Sequence, residues 1–134
     1  MYIDRKLALF ERHTMSTFEH VTLIQNISQS MGALRKAQPE AMQGFGQLAK
    51  AAMAEGAISE KHKELIALAI GITQHCSGCI GFHVKALRRL GCTRQELEEM
   101  LAITVYMGGG PGLMYASEAL AAWDAFAPAS ETQA

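Results

Sequence analysis

The sequence lacks several features that would assign it to other classes of protein. Its 134 residues include only 3 prolines, 49% are hydrophobic and 19% are charged, which excludes collagen-like, low-complexity and disordered chains. Lys and Arg number 12 against 13 Asp and Glu, so no positive surplus would favour nucleic acid as a partner. The longest strongly apolar run, Leu65 to Ile72, is less than half of the roughly 20 residues that cross a bilayer. We expect one soluble domain without a membrane partner.

Signals for export and for a disulfide scaffold are also lacking. The amino-terminal stretch carries an early acid, Asp4, and its apolar run is too short for a secretory signal. Residues 1–14 are either an extension upstream of a start at Met15 or a docking arm. In a chain that is not exported, 3 cysteines are expected to be reduced thiols with a catalytic role, a metal-binding role or none. These features predict a cytoplasmic protein.

Strict alternation of apolar and polar residues is nearly absent, so we predict an all-α fold. The helix signals are a proline at a first helical position (Pro39), an N-cap (Ser59), a glycine stop (Gly91), a capping box (Thr93 with Glu96) and a glycine break (Gly108–Gly110). The predicted helices cover about 27–37, 40–54, 60–73, 76–90, 94–106 and 111–128. We accordingly divide the chain into an arm (1–26), a helical domain (27–128) and a frayed tail (129–134).

The helix predicted over 60–73 turns apolar nearly all round after Glu64. A helix with this pattern must pack on several sides. We therefore expect it to be the central helix of the domain.

The sequence CSGC places Cys76 and Cys79 three residues apart, and His83 follows four residues later. On one helix these residues share a face, and such an arrangement rarely arises by chance. The spacing also fits an ordinary core stripe, since cysteine is often buried. The functional interpretation is a pair of reactive thiols with a nearby imidazole.

A helix N-terminus and an adjacent imidazole both favour the thiolate form of cysteine. Cys76 lies nearest the positive end of the helix dipole, which indicates Cys76 as the nucleophile. The side chain of His83 leans toward the N-terminus of its helix and hence toward Cys79, which indicates Cys79 instead. The residues alone leave both assignments open.

Glu64 is a candidate partner for His83. If the two helices fold back antiparallel at a turn near residues 74–75, a rise of about 1.5 Å per residue puts Glu64 and His83 within roughly 3 Å in height. The carboxylate would then orient the imidazole and stabilise its protonated form. The alternative is a solvated glutamate in the first turn of its own helix.

Zinc binding is a competing use of the same residues. Cys76, Cys79 and His83 would supply three ligands, with His75 or Glu64 as the fourth. No second pair follows at zinc-finger spacing. The sequence therefore favours thiol chemistry over a metal site.

Other conspicuous residues receive simpler interpretations. Cys92 follows a helix-ending glycine and is predicted to be a small packing residue. His13, His20 and His62 lie in polar surroundings and are expected to face solvent. The stretch Gly108–Pro111 lacks the context of a phosphate-binding loop and is interpreted as a helix break.

The spacing of Glu64, eleven residues, CSGC, three residues and His83 resembles the signature of the alkylhydroperoxidase D-like proteins of the carboxymuconolactone decarboxylase superfamily. The resemblance extends through KALRRLGCTRQELEEMLAI and GGGPGLMYA and covers about residues 58–126. It implies a single-unit helical domain of about six helices and a peroxidase whose two cysteines cycle between dithiol and disulfide.

The resemblance assigns roles to four residues. Cys79 corresponds to the thiolate that attacks the peroxide, Cys76 to the resolving thiol, His83 to the base and Glu64 to its partner. The best-known members carry a further histidine just before the second cysteine, where this chain has Gly78. Lactone decarboxylases of the superfamily lack the CxxC pair, so that activity is not expected here.

The resulting hypothesis is a thiol-dependent alkyl hydroperoxide reductase with a Glu–His proton relay. It needs no bound cofactor or metal, and its partners are a small hydroperoxide and a dithiol donor, either a lipoyl group or a thioredoxin-like protein. By resemblance to single-unit members, a homohexamer built as a trimer of dimers is expected. The alternative is a redox-sensing or partner-binding oligomer with the same disulfide switch and little turnover.

Overall fold

A computed structural model describes the backbone of residues 2–132 and the side chains of residues 19–131. This part of the chain contains helices and no strands, which confirms the predicted all-α fold of about six helices. The elements are α1 (Tyr2–Ala37), α2 (Pro39–Met53), α3 (Glu60–Thr73), α4 (Ser77–Arg89), α5 (Arg94–Ala125) and α6 (Ala129–Thr132). None of the described helices combines the length and apolar character needed to cross a membrane.

Helix α1 begins far earlier than the predicted start near Ile27. Residues 2–31 contain neither proline nor glycine, so nothing in the sequence stops a helix there. Ile24 is buried against Gly81 of α4, so α1 packs on the other helices at residues that precede Ile27.

The hydrophobic core lies between α3, α4 and the two halves of α5. The largest fully buried side chains come from all three helices: Leu68, Ile72, Ile80, Val84, Leu87 and Leu97. Trp123 and Cys92 join the same cluster. Helix α3 is central, as predicted, on the face that packs against α4 and α5.

The opposite face of α3 departs from the prediction of burial on several sides. Ile66 and Ile70 are about half exposed and line a shallow apolar groove between α3 and α5, with Ile103 and Met107 on its other wall. Helix α3 therefore carries more apolar side chains than a single chain buries.

Helix α2 begins at Pro39, as predicted, because proline suits a position whose backbone N–H has no helical partner. It contains no buried residue. Phe45 and Leu48 are 68% and 65% exposed. The helix therefore contributes an apolar surface rather than core.

Helix α5 consists of two helical segments that meet at a kink within the glycine stretch, which confirms the predicted break. Gly109 alone leaves the helical region, with φ 62° and ψ −144°, a conformation that glycine adopts without a Cβ penalty. Pro111 follows in the first turn after the kink, where its missing N–H costs little. One residue thus redirects the chain while the turns on both sides stay helical.

Substitution of Gly112 by alanine is expected to destabilise the fold by about 1–3 kcal/mol. A Cβ atom at Gly112 would lie 2.5 Å from the carbonyl oxygen of Thr104, and that backbone atom moves only if the kink moves. The measurement is the free energy of unfolding in urea. Gly110→Ala is the matched control, because a Cβ there meets nothing within 4 Å; an equal loss in the two variants would contradict the explanation.

The start of α5 is tied to α3 by a network centred on Glu96. Its carboxylate accepts from Lys61 Nζ at 2.7 Å and from the backbone N–H of Thr93 at 2.8 Å, while the Thr93 hydroxyl accepts from the Glu96 N–H. This is the predicted capping box. The hydrogen bonds from Lys61 and Thr93 lower the pKa of Glu96 from its usual 4.5 to about 2.

Glu96→Gln is expected to destabilise the protein at neutral pH and to lose that effect in acid. Because the pKa of Glu96 is lower in the folded state, its charge stabilises the fold above about pH 4.5 and this contribution disappears as the pH falls toward about 2. Urea unfolding of wild type and variant at several pH values measures the difference. Glu99→Gln, one turn away, is the control; a Glu96→Gln effect that does not change with pH contradicts the prediction.

The described part of the carboxyl-terminal tail is helical and contacts the domain. Residues Ala129–Thr132 form a helical turn, α6. Glu131 accepts a hydrogen bond from Arg88 at 2.7 Å, and the Arg88 guanidinium also lies 3.8 Å from the ring centre of Trp123. Arg88 thereby holds the tail against α4 and α5.

Candidate redox-active site

The two cysteines of the CSGC sequence form a disulfide at the start of α4, with their Cα atoms 5.2 Å apart. Cys76 is the N-cap residue, and its Sγ accepts a hydrogen bond from the backbone N–H of Cys79 at 3.2 Å. The first turn of α4 contains no acidic residue. Negative charge on a sulfur here is therefore stabilised by the helix N-terminus without opposition from a carboxylate in the same turn.

Cys79 packs closely against α3. A Cβ atom at Gly71 would lie 3.1 Å from the Cβ of Cys79, so the absence of a side chain at Gly71 allows this approach. This contact and the short turn between α3 and α4 hold Cys79 of α4 close to α3, the helix that carries Glu64.

Glu64 and His83 meet across the α3–α4 pair. The Nδ1 atom of His83 lies 2.6 Å from Oε2 of Glu64, and the side chains are 31% and 10% exposed, respectively. A buried carboxylate requires such a partner. Glu64 is thus a buried residue paired with His83, rather than the solvated first-turn glutamate of the alternative interpretation, and His83 retains access to solvent.

His75 is an unusual residue in the turn before Cys76. Its φ of 56° is the only positive value among the described residues other than glycines. The turn is a Schellman motif, in which His75 N–H donates to Ile72 O at 3.1 Å and Cys76 N–H donates to Gly71 O at 3.0 Å. A residue with a Cβ in this conformation costs about 1–2 kcal/mol.

The ring of His75 stacks on Tyr115 of α5, with 4.4 Å between the ring centres and 1° between the planes. From the sequence, His75 is a possible fourth zinc ligand and the histidine just ahead of the first cysteine, and Tyr115 has no assigned role. No local pattern joins two residues so far apart in the chain.

Gly78 lies just before the second cysteine, at the position where the resemblance implies a histidine. A Cβ at Gly78 would lie 2.9 Å from Cδ1 of Ile27, so α1 fills the space that a larger side chain would need. Gly78 and Gly81 lie three residues apart, and this small-residue spacing is the sequence signal that could have predicted a helix packed closely on α4.

Cys92 is buried in the core, as predicted. Burial and the nearby Glu96 raise the pKa of the Cys92 thiol to about 11, so it is protonated at neutral pH. His62 is exposed, as expected, whereas His20 is half-buried where α1 lies along the domain. His13 lies outside the residues whose side chains are described.

Potential metal ligands do not converge in the described residues. No group of three or more His, Cys, Asp and Glu side chains there is arranged to hold a metal ion. Cys76 and Cys79 are bonded to each other, and His83 is paired with Glu64.

The fold and site define a helical protein with a CxxC disulfide next to a Glu–His pair. The sequence pattern of the Carboxymuconolactone decarboxylase family matches residues 39–122, and the chain belongs to this family. The resemblance drawn from the sequence is confirmed at this level.

Similar proteins support the assignment. The chain is 47% identical to a carboxymuconolactone decarboxylase family protein from Legionella pneumophila, whose apo crystal structure aligns with a TM-score of 0.81 over 82% of this chain and 98% of that one. It is also 46% identical to an uncharacterised protein of Cupriavidus necator, covering 78% of this chain and 92% of the relative. A protein encoded in the cox locus of Paracoccus denitrificans is 33% identical over 72% of this chain and 87% of the relative.

Proposed function

We propose that the protein is a thiol-dependent hydroperoxide reductase that cycles between a Cys76–Cys79 disulfide and two thiols. The observation that carries the proposal is the combination of this disulfide at a helix N-terminus with the hydrogen-bonded Glu64–His83 pair one turn further along α4. Family membership is compatible with this activity.

In the first step, the Cys79 thiolate attacks a hydroperoxide. The O–O bond breaks, the distal oxygen stays with its hydrogen on the sulfur as a sulfenic acid, and the other oxygen leaves as an alcohol or water after it takes the proton removed earlier from the thiol. His83 lies four residues after Cys79, where its side chain leans back toward that sulfur. We assign the deprotonation of Cys79 to His83.

Glu64 acts through His83. Because Nδ1 of His83 donates to the Glu64 carboxylate, the proton exchange with the thiol falls to Nε2. The buried carboxylate holds the imidazole in one orientation and stabilises it when it is protonated.

In the second step, Cys76 attacks the sulfenic acid on Cys79. An S–S bond forms and water is released. An external dithiol, a lipoyl group or a thioredoxin-like protein, then reduces the disulfide by thiol exchange and is itself oxidised. The backbone N–H of Cys79 that points at the Cys76 sulfur supports this role, because it stabilises Cys76 as the attacking thiolate and again as the leaving thiolate.

The test is peroxide consumption by the reduced protein with a dithiol donor. We expect many turnovers per protein molecule, and alkylation mass spectrometry should show that Cys76 and Cys79 change oxidation state while Cys92 stays a thiol. Oxidation that stops after one equivalent of peroxide and changes the assembly state would instead identify a redox sensor.

We propose in addition that the protein works as a homo-oligomer, a trimer of dimers, in the reducing cytoplasm. The apolar faces of α2 and of the α3–α5 groove support self-association, because Phe45, Leu48, Ile66, Ile70 and Ile103 are half or more exposed in one chain. Size-exclusion chromatography with light scattering tests the assembly, and a monomer at all concentrations would contradict it.

A further inference from the structure

In the part of the chain that the structure describes, the turns after α3 and after α4 share the same hydrogen-bond pattern but carry different residues at the left-handed position. After α4, Gly91 takes φ 72° and Cys92 N–H donates to Leu87 O at 3.0 Å, which is the usual Schellman motif with glycine at its left-handed position. After α3, His75 occupies the equivalent position with φ 56°. The chain therefore places a histidine where glycine would be unstrained, directly before Cys76.

The conformation of His75 directs its ring onto Tyr115. The two rings are parallel, with their centres 4.4 Å apart. Tyr115 belongs to the half of α5 that follows the kink at Gly109, so the glycine and proline segment sets the direction of the helix that carries this ring. The stack links the turn before the disulfide to α5.

We infer that His75 is a positioning residue for Cys76: its stack on Tyr115 holds the first cysteine against the second, which favours closure of the disulfide. The inference rests on the dithiol chemistry proposed above. A thiol held near its partner has a higher effective concentration than one in a mobile turn, because less freedom is lost when the bond forms. Backbone strain that is retained beside a reactive group is a common feature of functional sites.

The primary experiment measures the dithiol–disulfide equilibrium of full-length protein in glutathione buffers, with the Cys76–Cys79 state quantified by alkylation and mass spectrometry. His75→Asn keeps a residue that tolerates the left-handed conformation but removes the ring. Tyr115→Ala removes the other ring, and Tyr115→Phe retains it. We expect the first two variants to lower the equilibrium constant for disulfide formation about two- to tenfold, and Tyr115→Phe to stay within about twofold of wild type.

Two results would overturn the inference. One is an unchanged equilibrium in both His75→Asn and Tyr115→Ala. The other is an equilibrium constant for disulfide formation that falls as far in Tyr115→Phe as in Tyr115→Ala. That result would assign the effect to the tyrosine hydroxyl rather than to the stack. Circular dichroism shows that the variants are folded, and the Tyr115 pair remains decisive if His75→Asn does not fold.

A second arm separates this inference from the proposed peroxidase activity. With excess peroxide, the His75→Asn and Tyr115→Ala variants should accumulate more sulfinic acid on Cys79 than wild type does. The reason is that the sulfenic acid persists longer before Cys76 attacks it and is oxidised further by peroxide. If wild type forms no sulfenic acid, the proposed peroxide chemistry fails, whereas the glutathione equilibrium still decides whether His75 positions Cys76.

Discussion

Replacement of Cys79 by serine is expected to reduce peroxide consumption to the background rate of peroxide with the dithiol donor alone, a loss of at least about a thousandfold. The reason is that the serine hydroxyl is not ionised at neutral pH and cannot take the oxygen of the peroxide. The measurement is the steady-state rate at saturating donor.

Two further cysteine variants make this experiment specific. Cys76→Ser should still react once with peroxide and should accumulate a sulfenic acid that a dimedone reagent traps. Cys92→Ser should retain wild-type turnover, because Cys92 is buried and its pKa is raised to about 11. Equal rates for wild type and Cys79→Ser would end the assignment of Cys79, and sulfenic acid on Cys76 in the Cys79→Ser protein would exchange the two roles.

Replacement of His83 by glutamine is expected to slow the reaction with peroxide by about 10²–10⁴-fold, the range found when a general base is removed. Glutamine still forms a hydrogen bond with Glu64 but cannot take the proton of the thiol. The rate is measured in a single turnover under peroxide-limited conditions, which separates this step from reduction by the donor.

Glu64→Gln measures the contribution of Glu64 separately from that of His83. It keeps the shape and one hydrogen bond to Nδ1 of His83 but removes the charge that stabilises the protonated imidazole, so we expect a smaller loss of about tenfold. Melting curves of both variants serve as the folding control, since Glu64 is only 10% exposed. A single-turnover rate in His83→Gln within twofold of wild type contradicts the proposed relay.

The match between the predicted and observed helices reflects signals that act between neighbours in the chain. Ser59 accepts from the N–H of His62, Thr93 and Glu96 form their capping box and Gly91 closes α4 with a positive φ. Each of these involves residues no more than a few positions apart, so the sequence displays both partners together. The start of α1 was missed because residues 2–26 carry no such signal.

The break in α5 was predictable because Gly108–Gly110 and Pro111 are neighbours in the chain, and Gly109 leaves the helical region there. These residues do not give the direction of the segment that follows the break. That direction depends on packing, such as the close approach of Gly112 to the Thr104 carbonyl, and it places Tyr115 beside His75.

The candidate site depends both on local sequence signals and on the packing of helices. The spacing of the cysteines and His83 predicted that they belong to one helix, and the structure places Cys76 at its N-cap with Cys79 and His83 inside it. The assumption of an antiparallel turn was sufficient to bring Glu64 near His83. Burial of Glu64 and the 2.6 Å hydrogen bond to His83 depend on how α3 packs against α4, which Gly71 permits.

The sequence by itself determined most of the helices, their caps and the break in α5, because these follow from the 3.6-residue period and from interactions within one or two turns. Only the tertiary structure decided that Ile27 takes the space beside Gly78, that Glu64 is buried against His83 and that His75 meets Tyr115. These contacts join residues far apart in the chain, and their geometry is set by the packing of whole helices rather than by any local pattern.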